Sequence, residues 1–210
     1  MKINRVDILN RLAARFGYRS YLEIGVAGGS SFRNVQVEDK LGVDPAWRRW
    51  YIFRREIKKI TSDRFFERNQ RTFDLIFVDG LHHADQAYKD IRNSLEVLNP
   101  GGAILVHDCI PSTREQQIVP RMQSSWTGDV WRAYLKISQD PDLTTWLFNT
   151  NRGCGLVRKG QRPEGFPFPP TNIDPMDPEL EWEDYDQQKD SWLKIYRKEE
   201  VYSTIDSLPR

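Results

Sequence analysis

The chain has 210 residues, 29% of them charged and balanced to a net charge of +1. That length suits one domain with a short appendage, and the balance excludes the broad basic field of a nucleic-acid or anionic-membrane binder. No apolar run reaches the ~20 residues of a membrane span, and two cysteines are too few for a disulfide scaffold, so a soluble, cytoplasmic protein is expected.

The start "MKINRVDILNRLAARFG" lacks a signal-peptide core, and its part "VDILNRLAARFG" spaces apolar residues as a helix that stops at Gly17. "SYLEIGV" reads as a buried strand, followed by "AGGSS" and a helix over "FRNVQVEDK". "LGVD" is a short strand punctuated by Pro45. "WRRWYIFRREIKK" reads as an amphipathic helix with Trp47, Trp50 and Tyr51 inward and its arginines solvated. Its mixture of cations and aromatics also suits nucleic acid, but the neutral net charge argues against that partner. "TSDRFFERN" follows a short strand, "FDLIFVD" is an apolar strand, and "ADQAYKDIRNSLEVL" is a helix.

"NPGG" makes a turn into the strand "AILVHD". "GDVWRAYLKI" is helical, with Trp131 expected in the core, and residues 144–159 read as a hairpin. Residues 160–181 are rich in proline and should drape as an extended, irregular segment. The final stretch places Trp182, Tyr185, Trp192, Ile195 and Tyr196 as the apolar stripe of a packed helix. Strand–helix alternation predicts an α/β, doubly wound, mostly parallel sheet closed by an antiparallel hairpin.

An open parallel sheet binds ligands at the carboxyl ends of its strands, where glycines allow close approach. The first such turn reads Glu23-x-Gly25-x-x-Gly28-Gly29, followed by Asp44 at the end of the second strand. This pattern resembles class I S-adenosylmethionine-dependent methyltransferases. "TSDRFF", "FDLIFVDG" and "LNPGGAILVHD" continue the resemblance in order, over about residues 19–159. The D-G-x-H and H-D signatures look like small-molecule O-methyltransferases of the macrolide-sugar and catechol branches.

The resemblance implies a Rossmann-like, seven-stranded sheet in residues 1–159. Residues 160–210 then form a proline-rich extension and a C-terminal helix packed on that domain. It implies S-adenosylmethionine held by Glu23, Gly25, Gly28, Ser31, Asp44, Ser62, Asp63, Asp79 and Gly80. Asp44 would accept both ribose hydroxyls, and Ser62 and Asp63 would contact adenine. In the family's strand order Cys109 and Cys154 share one edge of the sheet.

All three histidines, His82, His83 and His107, stand just beyond strand ends, beside Asp79 and Asp108. Neighbouring parallel strands lie about 5 Å apart, so these groups should converge at the mouth of one cleft. Methyl transfer to a hydroxyl needs positioning and either a base or a metal. His107, Asp108 and His82 are therefore the candidate catalytic residues. Asp79 and Asp108 match two metal-ligand positions of the metal-dependent relatives, for Mg²⁺, Mn²⁺ or Zn²⁺, but Cys109 stands where those have an amide. The expected function is O-methylation of a small sugar-like or hydroxylated acceptor, with oligomeric state open and a homodimer allowed. The alternatives are an NAD(P)-dependent oxidoreductase, which would want a third glycine, and a non-catalytic S-adenosylmethionine-binding protein.

Overall fold

The computed structural model describes residues 3–46 and 56–209. The first helix, α1 (Arg5–Phe16), is set by its caps. The Asn4 side chain accepts from the Val6 amide at 2.8 Å, and the Asp7 carboxylate accepts from the Asn4 amide at 2.9 Å. Gly17 ends it in the left-handed region, at φ 71°. Ile8, Leu9, Leu12 and Ala13 form the buried stripe that docks it on the sheet.

The chain continues through β1 (Ser20–Ile24), α2 (Ser30–Asn34), β2 (Asp39–Val43), β3 (Ile57–Lys58), α3 (Ser62–Phe66), β4 (Phe73–Val78), α4 (Ala84–Glu96) and β5 (Leu98–His107). It then forms α5 (Arg114–Gln117), α6 (Val130–Ser138), β6 (Leu143–Asn149), β7 (Cys154–Lys159), α7 (Trp182–Trp192), β8 (Ile195–Arg197) and α8 (Val201–Ser207). The strands form one sheet in the order β3-β2-β1-β4-β5-β7-β6-β8. β7 runs antiparallel to both β5 and β6; the other pairings are parallel. One face is packed by α3, α4, α6 and α7, the other by α1, α2 and α8. Strand order reverses between β1 and β4, which makes their carboxyl ends the natural ligand crevice.

The sheet has eight strands rather than the expected seven. The terminal stripe is not one helix: α7 stops at Trp192, and Ile195–Arg197 adds β8 to the edge of β6. The Leu147 amide of β6 donates to Lys194 O at 3.0 Å, so that edge supplies backbone partners that an isolated segment lacks. The helix expected over residues 32–40 ends at Asn34. Val35 caps it in extended backbone, Val35 and Val37 are buried in the core, and β2 has begun by Asp39. Residues 47–55, with Trp47, Trp50 and Tyr51, lie outside the described residues. The end of that expected helix, Ile57–Lys58, is strand, paired with Gly42–Val43.

The proline-rich segment forms no helix or strand. Side chains of α6 and its C-cap cover its carbonyls: Gln139, just past the helix, donates to Pro170 O and Ile173 O, and Arg132 to Pro175 O and Asp177 O. Tyr185 of α7 is buried, stacks on the fully buried Trp131 at 4.4 Å, and donates to Cys109 O at 2.9 Å. Trp131 is thus a core residue, as expected. Cys154 pairs with His107 across the β5–β7 ladder, and the Cys109 amide donates to Gly153 O, so both thiols sit at one end of the sheet. They are free, buried and packed in the cores of opposite faces.

Candidate active site

A cavity of about 530 Å³ opens at the carboxyl ends of β1, β2 and β4. A second hollow of about 560 Å³ lies by the amino end of β2, the wrong end of the strands for a switch-point ligand. Gly25, Asp44, Ser62, Asp63, Asp79, Gly80 and His82 line the first cavity, as the sequence suggested. Glu23, Gly28, Ser31, His107 and Asp108 do not reach its wall.

Gly25 is irreplaceable on steric grounds. It has φ 89°, and a Cβ there would lie 2.0 Å from Asp79 O, where the chain leaving β1 runs close against the chain leaving β4. A Cβ at Gly28 would meet nothing within 4 Å. Asp44 ties the loop down: its carboxylate accepts from the Ala27 amide at 2.6 Å and the Ala46 amide at 2.8 Å. A carboxylate has about four acceptor sites, which leaves capacity for two ribose hydroxyls. Asp44→Ala should therefore weaken S-adenosylhomocysteine binding about tenfold or more. Unchanged affinity in a calorimetric titration of the folded variant would remove Asp44 from the site.

Glu23 stands behind the loop, 1% exposed, with the Tyr21 hydroxyl donating to it at 2.6 Å. Burial lifts its carboxyl to about 8, against the opposing pull of that hydrogen bond. Glu23 is thus mostly neutral at pH 7, and Glu23→Gln should hold S-adenosylhomocysteine within about threefold of wild type. A larger loss in the same titration would give Glu23 a direct cofactor role. Ser31 accepts from Arg5 Nε at 2.9 Å, beside the loop rather than in the cavity.

The ends of β4 and β5 bring together the charges that the sequence placed there. Asp79 Oδ1 lies 3.2 Å from His107 Nδ1 and 3.4 Å from His82 Nε2. Asp108 Oδ2 lies 3.3 Å from His82 Nδ1, and its Oδ1 lies 3.2 Å from His107 Nδ1. The Trp126 indole stacks on the His82 ring, with centroids 5.2 Å apart. His83, the residue before α4, meets Trp126 edge-on and does not line the cavity.

Two residues that the sequence reading passed over complete this cluster. In the β6–β7 turn Asn151 (φ 51°) and Arg152 (φ 66°) both adopt the left-handed region, a strained arrangement for non-glycine residues. Arg152 lines the cavity, with Nε 2.9 Å from Asp108 Oδ1. Asn151 Oδ1 accepts from the Arg5 amide at 3.3 Å and faces His107 Nε2 at 3.2 Å. The only sequence signal was a short polar turn, which carries no information about what it touches.

His107, unlike His82, is hydrogen-bonded to an acceptor at each ring nitrogen, Asp79 at Nδ1 and the Asn151 amide oxygen at Nε2, with Asp108 also beside Nδ1, so both nitrogens carry protons. Burial opposes the imidazolium, but Asp79 and Asp108 outweigh it and raise His107 to about 9. Burial would likewise raise Asp79, but His107 and His82 hold it below the ordinary carboxylate range. His107, expected as a base, is placed as a fixed cation behind Asp79. His82 is the imidazole on the cavity wall.

Asp79, His82 and Asp108 also present ligand atoms within 4.8 Å of one another. Both Asp108 carboxylate oxygens and His82 Nδ1 are buried in close charge contacts, at 2.9–3.3 Å with one another, His107 and Arg152, but none of these contacts is an aligned hydrogen bond. Two carboxylates and one imidazole, with ligand atoms this close and no aligned hydrogen bonds at Asp108, fit a divalent cation. Cys109 is not part of that set, since its thiol turns back toward Val106 O and His107 O.

A family model for a methyltransferase domain matches residues 44–109, from Asp44 through the β5 end of the site. A comparison with curated proteins gave no match. Among solved structures, an SAH-bound methyltransferase of Podospora anserina superposes with a TM-score of 0.56 at 16% identity, covering 75% of this chain and 78% of that one. An O-methyltransferase of Streptomyces achromogenes involved in tomaymycin synthesis, in complex with SAM, gives 0.52 at 17% identity, covering 74% and 79%. An O-methyltransferase of Bacillus cereus in complex with SAH gives 0.50 at 18% identity, covering 74% and 80%. At these identities the structures show the shared fold. Fold and domain match together support the class expected from the sequence, an S-adenosylmethionine-dependent methyltransferase.

Proposed function

We propose that the protein transfers the methyl group of S-adenosylmethionine to a hydroxyl of a small sugar-like or hydroxylated acceptor. One observation carries this reading: a single cavity runs from Asp44, a ribose-type acceptor, to the Asp79–His82 pair at the strand ends. The methyl leaves the sulfonium sulfur for the acceptor oxygen in line, so holding the two partners in register supplies much of the catalysis. The hydroxyl proton passes to His82 Nε2, which is free when the ring's own proton sits on Nδ1 beside Asp108, and Asp79 Oδ1 stabilises the resulting charge. Trp126 fixes the His82 ring, and its own indole N–H is anchored on Ile118 O at 2.7 Å. His107 cannot accept that proton and serves to orient Asp79.

Asp79, His82 and Asp108 would hold a divalent cation, which when bound supplies Lewis acidity to the acceptor oxygen. Two free, buried thiols suit a reducing compartment such as the cytoplasm. Among the described residues no helix is long and apolar enough to cross a membrane.

Calorimetric titration with S-adenosylmethionine, S-adenosylhomocysteine and NAD, followed by radiolabelled methyl transfer to a panel of hydroxylated acceptors, tests the reading. Binding of the first two and label in an alkali-stable methyl ether are expected. Binding of NAD alone would assign an oxidoreductase instead, and cofactor binding without transfer across the panel would favour a non-catalytic binder.

A further inference from the structure

Helix α4 buries one face through Ala84, Ala87, Ile91 and Leu95, and in that apolar stripe stands Asp90, 1% exposed. A carboxylate on a core face is costly unless something uses it. It makes no ion pair among the described residues, whereas the neighbouring Lys89 is paired with Asp63 at the surface, at 2.9 Å. Asp90 instead lines the cavity. Its Oδ2 would lie 3.4 Å from a Cβ built on Gly80, just past the end of β4.

Gln86, one helical turn earlier and on the same face, also lines the cavity. Its Nε2 faces three acceptors: Ser62 Oγ at 3.2 Å, Asp63 Oδ1 at 3.1 Å and Asp90 Oδ1 at 2.9 Å. The carboxylates fix the amide's orientation, because its oxygen in that place would be repelled. No donor among the described residues is spent on Gln86 Oε1. This end of the cavity therefore offers acceptors in excess of donors, and the ligand group that fits it is a hydrogen-bond donor. The exocyclic amino group of adenine carries two N–H bonds, and glutamine is a natural partner for it.

We propose that Asp90, with Gln86, reads the 6-amino group of the cofactor's adenine and rejects a base with a carbonyl oxygen there. This rests on the S-adenosylmethionine reading above. Ser62 and Asp63 then act as supports: Ser62 shares the Gln86 amide, and Asp63 holds that amide while its other oxygen meets Lys89. Burial lifts the Asp90 carboxyl to about 6, against hydrogen bonds from Ser62 and Gln86, so it remains mainly an acceptor at neutral pH.

The experiment compares S-adenosylhomocysteine with S-inosylhomocysteine, in which a carbonyl replaces the amino group, by calorimetric titration at pH 7.5. The wild-type protein should prefer the adenine compound by about tenfold or more, since a hydrogen bond to a charged acceptor is lost and a repulsion gained. Asp90→Asn, whose amide can donate to the carbonyl, should weaken S-adenosylhomocysteine about tenfold and bring the two affinities within roughly threefold. Gln86→Leu, at a half-buried position, should reduce the preference in the same direction. Equal wild-type affinities would overturn the proposal, as would an undiminished preference in either folded variant. If the wild type binds neither compound, the cofactor reading itself falls, a result distinct from loss of discrimination.

Discussion

Exchanging His82 for alanine should lower methyl transfer by about 10²–10⁴, the usual contribution of a positioned proton acceptor, with S-adenosylhomocysteine affinity within about threefold of wild type. Of the three histidines only His82 lines the cavity. His83 packs edge-on to Trp126, and His107 has both nitrogens committed to oxygen acceptors. Added imidazole should restore part of the rate, which a purely structural loss would not allow. A chelator arm separates base from metal. If His82 works as a base, EDTA leaves the wild-type rate unchanged. If Asp79, His82 and Asp108 hold a cation, EDTA abolishes the rate, Mn²⁺ restores it, and Asp108→Ala is at least as damaging as His82→Ala. Full activity of the folded His82 variant would show that the histidines have only structural roles.

Asp108→Asn should cost the fold roughly 3 kcal/mol at pH 7, about a hundredfold or more in the folding equilibrium. The exchange keeps size and tolerance for the left-handed backbone that Asp108 adopts at φ 63°, so it isolates the charge. Asp108 is fully buried and faces the His107 imidazolium, which would be left with Asp79 alone. Breaking a buried pair leaves its partner charge uncompensated, which sets the size of the loss. Arg152→Gln is the control: that guanidinium is 36% exposed, and the cost should be within about 1 kcal/mol.

The pH dependence has a definite sign. His107 is raised from its ordinary 6.5 to about 9, so its contribution is complete below pH 6.5 and is lost as pH rises through 9. The gap between wild type and Asp108→Asn in urea melts should accordingly narrow above pH 9. Equal midpoints at pH 7 would show that Asp108 carries no structural charge.

The local pattern determined most of the fold. Short apolar runs such as "FDLIFV" and "AILVH", bounded by turn residues, read as strands buried on both faces, and Gly25 and Gly17 marked turns that need left-handed backbone. The same reading placed Asp44, Asp79, Gly80, Ser62, Asp63 and His82 on the cavity, because residues at strand ends inherit their position from the sheet order. Three features escaped it because they depend on what arrives from elsewhere in the chain. Ile195–Arg197 became a strand because the β6 edge offered it hydrogen bonds. Asp90 looked like one more charge on an amphipathic helix until packing turned it inward against Gly80. Asn151 and Arg152, in a turn more than forty residues from His107 and Asp108, decided which histidine holds a fixed proton and which one meets the cavity. Periodicity records which face of an element is buried. It carries no record of the distant side chain that will stand opposite, and the protonation of a buried imidazole is set by those neighbours.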